Sequence, residues 1–283
     1  MIKQGNEVNC MDDIFKTDIF TSIQRNSNKK FQLVGSSLPT NQDIYFLSKW
    51  DEIFERYCSA RLFIRKTFET NWDYWFNPVE DGEIQKAIEY KFKSDLYETA
   101  LINYNILVDL SWTITYVSAE YILYKFDSNN NIINATEISG MTPIEEAYKL
   151  LRKTENGVST PHAEGNPFDY LKKMAPEFSE VIDLIISFWK DFSQSDIRSV
   201  YNFIKHKGKP TYKEIERIRG GKAFSINISG SEYPSDIRDV QMELVLEDEI
   251  QKLVSFDDMT LFPYIEKLLK SLNAIINPSP FIF

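Results

Sequence analysis

Residues 82–126 read GEIQKAIEYKFKSDLYETALINYNILVDLSWTITYVSAEYILYKF, and this stretch decides the fold. Apolar and small residues recur in it at spacings of three and four: Ile84, Ile88, Phe92, Leu96, Ala100, Tyr104, Leu107, Val108, Trp112, Thr115, Ser118 and Ile122. That period predicts one long helix. Its most apolar part, residues 101–124, still carries Asn103, Asn105, Asp109 and Glu120, which are costly in hydrocarbon. We therefore expect a helix buried in protein and no membrane contact.

The composition extends the same prediction to the whole chain. Only 10 glycines and 11 prolines are spread over 283 residues, so few positions break a helix. Two cysteines and two histidines are too few for a disulfide scaffold or a histidine- or cysteine-based metal site. No cofactor motif occurs and no signal peptide precedes the first helix, so we expect no metal, no cofactor and a cytoplasmic location.

The chain divides into an N-terminal extension, residues 1–40, and a helical domain, residues 41–283. A first helix is predicted from Asn41, a suitable N-cap, with an apolar stripe that includes Trp50, Ile53, Tyr57 and Arg61. Helices return from about Pro167 to Lys207, with breaks near Pro176 and at 193–195. At 222–247 the period changes to two, which predicts a β-hairpin before the last helix. The predicted fold is mainly α, a bundle of long helices with an inserted β-hairpin near the C-terminus.

One segment carries a charge opposite to that of the chain. The formal net charge is −10, yet residues 198–222 (RSVYNFIKHKGKPTYKEIERIRGGK) hold eight basic residues against Glu214 and Glu216. We call residues 198–222 the basic segment. Its field would attract and orient an anion, although the chain as a whole is a poor binder of nucleic acid.

Three polar residues of the basic segment share one helical row. Arg198, Asn202 and His206 are spaced by four, with Lys205 beside them. Histidine can act as a general acid or base near neutral pH, and cations stabilise charge that develops on phosphorus. Such a row could cleave RNA without a metal, by activating the ribose 2′-hydroxyl. The alternative is a plain helix end, because cations favour the last turn, while Gly208 and Pro210 are natural terminators.

The hexapeptide Tyr201-Asn202-Phe203-Ile204-Lys205-His206 resembles the signature of the HEPN superfamily, in which an arginine and a polar residue precede a histidine by a few positions. The resemblance implies an all-α HEPN-like bundle and a metal-independent endoribonuclease of toxin–antitoxin or phage-defence systems. It implies a homodimer with composite active sites, and an antitoxin or other protein partner. Asn202 matches the polar position and His206 the histidine.

The motif departs from the family at its arginine. Tyr201 stands in that position, and Arg198 lies one turn earlier. Helix rise places Arg198 about 12 Å along the axis from His206, and its side chain leans away from it. Two helices crossing antiparallel near Asn202 in a dimer would bring Arg198 of one chain to His206 of the other.

Three hypotheses follow for the basic segment. In the first, His206, Asn202 and Arg198 are catalytic, while Tyr201, Lys205, Lys207 and Lys209 bind RNA. In the second, the chain is a non-catalytic HEPN-like module that binds RNA, a nucleotide or a protein. In the third, the helix belongs to the core, and His206 is buried and hydrogen-bonded.

Overall fold

The elements are seen in a computed structural model, which describes residues 14–20, 22–23, 41–72, 80–125, 172, 175–218 and 242–276. The fold is mainly α, as predicted. Its helices are α1 (Asn41–Thr67), α2 (Gly82–Lys125), α3 (Ser179–Phe192), α4 (Asp196–His206), α5 (Lys213–Ile218), α6 (Leu246–Phe256) and α7 (Phe262–Ile276). A 3₁₀ turn, Pro176–Phe178, precedes α3, and a π-helical turn, Asp257–Leu261, joins α6 to α7.

Local sequence signals place these helix ends well. Helix α1 begins at Asn41 and α2 spans Gly82–Lys125, within one residue of the predicted limits. The predicted break at 193–195 separates α3 from α4, because Ser195 caps the second helix. Residues 126–171, which include the predicted start of the next helical region near Pro167, lie outside the described residues.

The buried face of α2 differs from the predicted stripe in its first half. Ile84 of the predicted stripe is half exposed, whereas Ser94, Tyr97 and Leu101, which lie outside that stripe, are buried together with Tyr104. A strict four-residue repeat rotates about 40° per step around a helix of 3.6 residues per turn. Residues that follow one another by four from Ile84 to Ala100 therefore do not lie on a single face. The buried residues Ser94, Tyr97, Leu101 and Tyr104 are instead spaced alternately by three and by four.

The predicted hairpin is only partly covered by the described residues. Residues 222–241, with its first arm, lie outside them. In the second arm, Glu243–Leu244 forms strand β2, and helix α6 already begins at Leu246. The partner of β2 is strand β1, Thr211–Tyr212, and the two pair in parallel with Thr211 opposite Glu243. The second arm thus pairs with the segment that follows α4.

The chain forms two compact units made of interleaved segments. Unit 1 comprises Met1–Thr17, Cys58–Asn105 and Phe192–Thr260, and unit 2 comprises Asp18–Tyr57, Ile106–Asp191 and Leu261–Phe283. The described part of the basic segment, residues 198–218, belongs to unit 1. Both long helices contribute to both units, since α1 divides after Tyr57 and α2 after Asn105.

Aromatic side chains fill the core of unit 1. Tyr97 on α2 meets Tyr212 on β1 edge to face, with ring centroids 6.5 Å apart. Phe256 at the end of α6 stacks on Phe192 at 5.6 Å and meets Tyr104 at 6.4 Å. These contacts join α2 to β1 and to α6, and α6 to the end of α3, and Tyr212 itself belongs to the basic segment.

A buried ion pair also belongs to unit 1. Arg61 donates from Nε and Nη2 to both carboxylate oxygens of Asp257, at 2.9 and 2.7 Å, and Tyr104 donates to the same carboxylate. Arg61 further donates to Thr17, and the Asp258 carboxylate accepts from the backbone amides of Lys16 and Thr17. The π-helical turn thereby holds the described end of the N-terminal extension.

Unit 2 has its own aromatic and polar contacts. Tyr264 on α7 stacks on Phe188 of α3 with a centroid distance of 3.7 Å. The Tyr264 hydroxyl donates to Ser111 Oγ at 2.7 Å, so a buried phenol of α7 is satisfied by α2.

Candidate functional site

Helix α4 carries the candidate residues, and local hydrogen bonds set both of its ends. The Ser195 hydroxyl accepts from Arg198 N at 3.2 Å. At the other end, Phe203 O accepts from Lys207 N and Gly208 N at 2.8 and 3.1 Å. Gly208 has a φ of +125°, a conformation that side chains other than glycine rarely adopt. The helix-end interpretation of Gly208 is therefore confirmed as the local reason for the stop.

The polar side of α4 faces solvent. Ile197, Val200 and Phe203 are buried, whereas Asn202, Lys205 and His206 are exposed. Asn202 and His206 are four residues apart and share one side of the helix. Because His206 is exposed, the hypothesis that it is a buried core residue is wrong.

Arg198 is held by its own chain. Its Nη1 donates to Asn105 Oδ1 at 3.0 Å, and its guanidinium lies 5.0 Å from the Tyr201 ring centroid and 5.8 Å from that of Phe192. Asn105 is fully buried on α2, and its Nδ2 donates to Leu101 O at 2.9 Å. Because the Asn105 Nδ2 group donates to its own helix, the Asn105 Oδ1 atom faces Arg198 and accepts the hydrogen bond.

The catalytic candidates are thus only partly brought together. Asn202 and His206 occupy adjacent turns of one exposed face. Arg198 lies two turns before His206, a rise of about 12 Å, and leans toward the helix N-terminus. The guanidinium of Arg198 is directed at Asn105, Tyr201 and Phe192 of its own chain.

Lys209 is engaged by helix α2 rather than directed at solvent alone. It forms ion pairs with Asp95 and, at 3.2 Å, with Glu98, which also accepts from the Tyr212 hydroxyl at 3.0 Å. Burial acts to lower the pKa of Lys209, but the hydrogen bond with Asp95 and the charge of Glu98 outweigh it and raise that pKa. Of the four predicted RNA-binding residues, Lys209 is therefore the one already paired with two carboxylates.

Two acidic groups near the site are also engaged. The Glu214 carboxylate accepts from the first amides of α6, Leu246 N at 3.1 Å and Glu247 N at 3.4 Å. Asp196, in the first turn of α4, lies 3.8 Å from Lys252 Nζ. These contacts reduce the repulsion that an approaching phosphate would meet.

Sequence reasoning missed the groups on α2 that organise the site. Asp95, Glu98 and Asn105 are distant in sequence from the residues they hold. A signal existed for Asn105 alone, because an amide in an apolar helical run needs a hydrogen-bond partner.

Two properties of the described residues concern metal ions and membrane-spanning helices. Within the described ranges, no group of three or more His, Cys, Asp and Glu side chains is arranged to hold a metal ion. In that same part of the chain, no helix has the length and apolarity that crossing a bilayer requires.

No protein-family model, curated protein or solved structure matches this chain. The functional assignment therefore depends on the chemistry of α4 and of the groups around it.

Proposed function

We propose that the protein is a HEPN-like, metal-independent endoribonuclease in which His206 is the acid–base group. The observation that carries the proposal is the exposed pair of Asn202 and His206 on one side of α4. Lys205 and Lys207 are exposed beside them and supply the positive charge that an RNA backbone requires.

The chemistry needs no group outside the protein and the RNA. The His206 imidazole takes the proton of a ribose 2′-hydroxyl, and the oxygen attacks the adjacent phosphorus. The bond from phosphorus to the 5′-oxygen of the next nucleotide breaks, and a proton from water or protein restores that hydroxyl. The products are a 2′,3′-cyclic phosphate and a 5′-hydroxyl end. Asn202 orients the substrate, and cations stabilise the charge on phosphorus.

The test of this function is RNA cleavage in EDTA. We expect wild-type protein to cleave and His206→Ala to lose at least about 100-fold in rate, the usual contribution of acid–base catalysis. His162→Ala is the matched control, since it removes the only other histidine of the chain. Cleavage by His206→Ala at the wild-type rate would contradict the proposal. Because His206 is exposed, the free energy of unfolding of His206→Ala should lie within about 0.5 kcal/mol of the wild-type value.

The proposal includes a homodimer and a setting in toxin–antitoxin or phage-defence systems, where an antitoxin or other protein partner binds. These parts derive from the HEPN resemblance of Asn202 and His206. Sedimentation velocity of the purified chain should give a dimer mass, about twice 33.1 kDa. A monomer at all concentrations tested would contradict the dimer.

A second candidate function is a non-catalytic module that binds RNA, a nucleotide or a protein. The observation that favours it is the bond between Arg198 and Asn105, which holds the arginine apart from His206 within one chain. This function predicts salt-sensitive RNA binding that His206→Ala leaves unchanged, with no cleavage by any variant.

A further inference from the structure

The environment of Arg198 is built from three elements of unit 1. The guanidinium donates a hydrogen bond to Asn105 Oδ1 on α2. It also lies close to the ring of Tyr201 on its own helix and to the ring of Phe192 at the end of α3. Phe192 is itself stacked on Phe256 of α6. A long cationic side chain is thus oriented by an amide and two rings, which reduces the entropy lost when it binds an anion.

We infer that Arg198 anchors a phosphate of single-stranded RNA several nucleotides away from the cleaved bond, and that Asn105 is the positioning residue for this arginine. The inference rests on the proposed function, since it assigns a second contact to the same RNA strand. It differs from a composite site, in which Arg198 of one chain acts on the phosphate beside His206 of another.

The spacing along α4 supports a flanking phosphate. Arg198 and His206 are about 12 Å apart along the axis, and Arg198 leans farther away. A stacked strand rises about 3.4 Å per nucleotide, so this distance spans three to four nucleotides. Lys205 and Asn202 lie between the two ends on the exposed side and can follow the strand.

The chemistry around Arg198 also suits an RNA strand. Asn105 is neutral, so its hydrogen bond orients the guanidinium without cancelling charge, unlike a carboxylate. The ring of Tyr201 is half-buried, and aromatic rings next to a cationic groove commonly stack nucleobases. Asp196, the nearest acidic residue in the sequence, lies 3.8 Å from Lys252.

The experiment compares two variants with a matched control. Arg198→Gln removes the cation, and Asn105→Leu removes the acceptor while keeping a side chain of similar volume. Asn103→Leu is the control, because Asn103 Nδ2 donates to Thr99 O at 2.8 Å on the same helix, as Asn105 does to Leu101 O. Circular dichroism and thermal unfolding establish that all three variants are folded.

The substrates are a twelve-nucleotide single-stranded RNA and the dinucleotide that contains its cleaved step. For the longer RNA we expect Arg198→Gln to raise KM about tenfold and Asn105→Leu about threefold, with kcat unchanged. The rise in KM should be larger for the twelve-nucleotide RNA than for the dinucleotide, because the dinucleotide does not reach Arg198. Arg198→Gln should also lower the slope of log affinity against log salt by about 0.7, the value for one phosphate contact on a single strand.

The other outcomes distinguish a failure of the inference from a failure of the proposed function. A fall in kcat on the dinucleotide with Arg198→Gln would place the arginine at the cleaved phosphate, as in a composite dimer site. Wild-type cleavage that neither variant changes would refute the anchor and leave the nuclease standing. If wild-type protein binds the longer RNA without cleaving it, the affinities of wild type and the variants for that RNA are compared in place of their KM values. If it neither binds nor cleaves, the proposed function and the inference both fail.

Discussion

Arg61 and Asp257 show how a charge can lie in the core of this protein. Their side chains are 4% and 0% exposed, and two hydrogen bonds join them. Tyr104 and Thr17 also form hydrogen bonds with the pair, the ring of Phe15 lies 4.3 Å from the guanidinium, and Asp258 lies 3.8 Å from Arg61 Nη2. Burial removes both groups from water, so each depends on the other to offset the lost hydration.

We predict that Asp257→Asn lowers the free energy of unfolding by about 3 kcal/mol, because it removes the charge of the carboxylate that accepts two hydrogen bonds from the buried Arg61 and leaves the guanidinium beside the more distant Asp258, 3.8 Å from Nη2. Urea denaturation followed by circular dichroism measures the change. Asp51→Asn, at an exposed position of α1, is the matched control and should stay within about 0.5 kcal/mol of wild type. Equal effects of the two substitutions would show that the pair contributes nothing of its own.

At the scale of the element, α4 is short, and Ser195 and Gly208 set where it begins and where it ends. Ser195 satisfies an amide at the start, and Gly208 takes a positive φ just past the end. The end matters for the site, because Lys205 and His206 occupy the last turn of the helix. A substitution at Gly208 therefore alters the position of His206, the candidate general base.

Gly208→Ala should lower the free energy of unfolding by about 1–2 kcal/mol, the cost of a side chain in this backbone conformation. Gly82→Ala is the matched control. Among the described residues, nothing lies within 4 Å of an added Cβ at either position, so the two differ in backbone conformation rather than in space. Gly82 is the first residue of α2, where alanine should be neutral or slightly stabilising. Thermal unfolding of both variants checks the expectation, and a neutral Gly208→Ala would contradict it.

At the scale of the whole molecule, charge is distributed unevenly. The chain is acidic overall, and the basic segment supplies a local field of the opposite sign. Two described lysines of that segment differ in their contacts. Lys205 is exposed on the side that carries His206, whereas Lys209 is paired with Asp95 and Glu98.

This division predicts different effects of two lysine substitutions on RNA binding. Lys205→Gln should reduce the slope of log affinity against log salt by about 0.7, because one phosphate contact is lost. Lys209→Gln should leave the slope unchanged, since its ammonium group is held by two carboxylates. Fluorescence anisotropy of a labelled twelve-nucleotide RNA across a salt series measures both. A slope reduced equally by both substitutions would contradict the assignment of Lys209 to α2.

The candidate site was only half accessible to sequence reasoning. The row of Asn202 and His206 follows from helical spacing, and the structure places both on the exposed side of α4. The anchoring of Arg198 could not be predicted in the same way, because Asn105 is 93 residues away. Nor does the local pattern show that Lys209 meets Asp95 rather than solvent, since that pair is separated by 114 residues.

By itself the sequence determined the start of α1, the span of α2 and both ends of α4. Apolar spacing and the scarcity of glycine and proline set the local preference for helix, and Ser195 and Gly208 act through interactions within a few residues, so neighbouring residues carry the information. Only the tertiary structure decided which face of α2 is buried, that β2 pairs in parallel with β1, and which charges meet. Arg61 and Asp257 are 196 residues apart, and their pairing depends on where the packed helices bring them. Burial and non-local contacts are properties of the folded whole, because no short segment contains both partners.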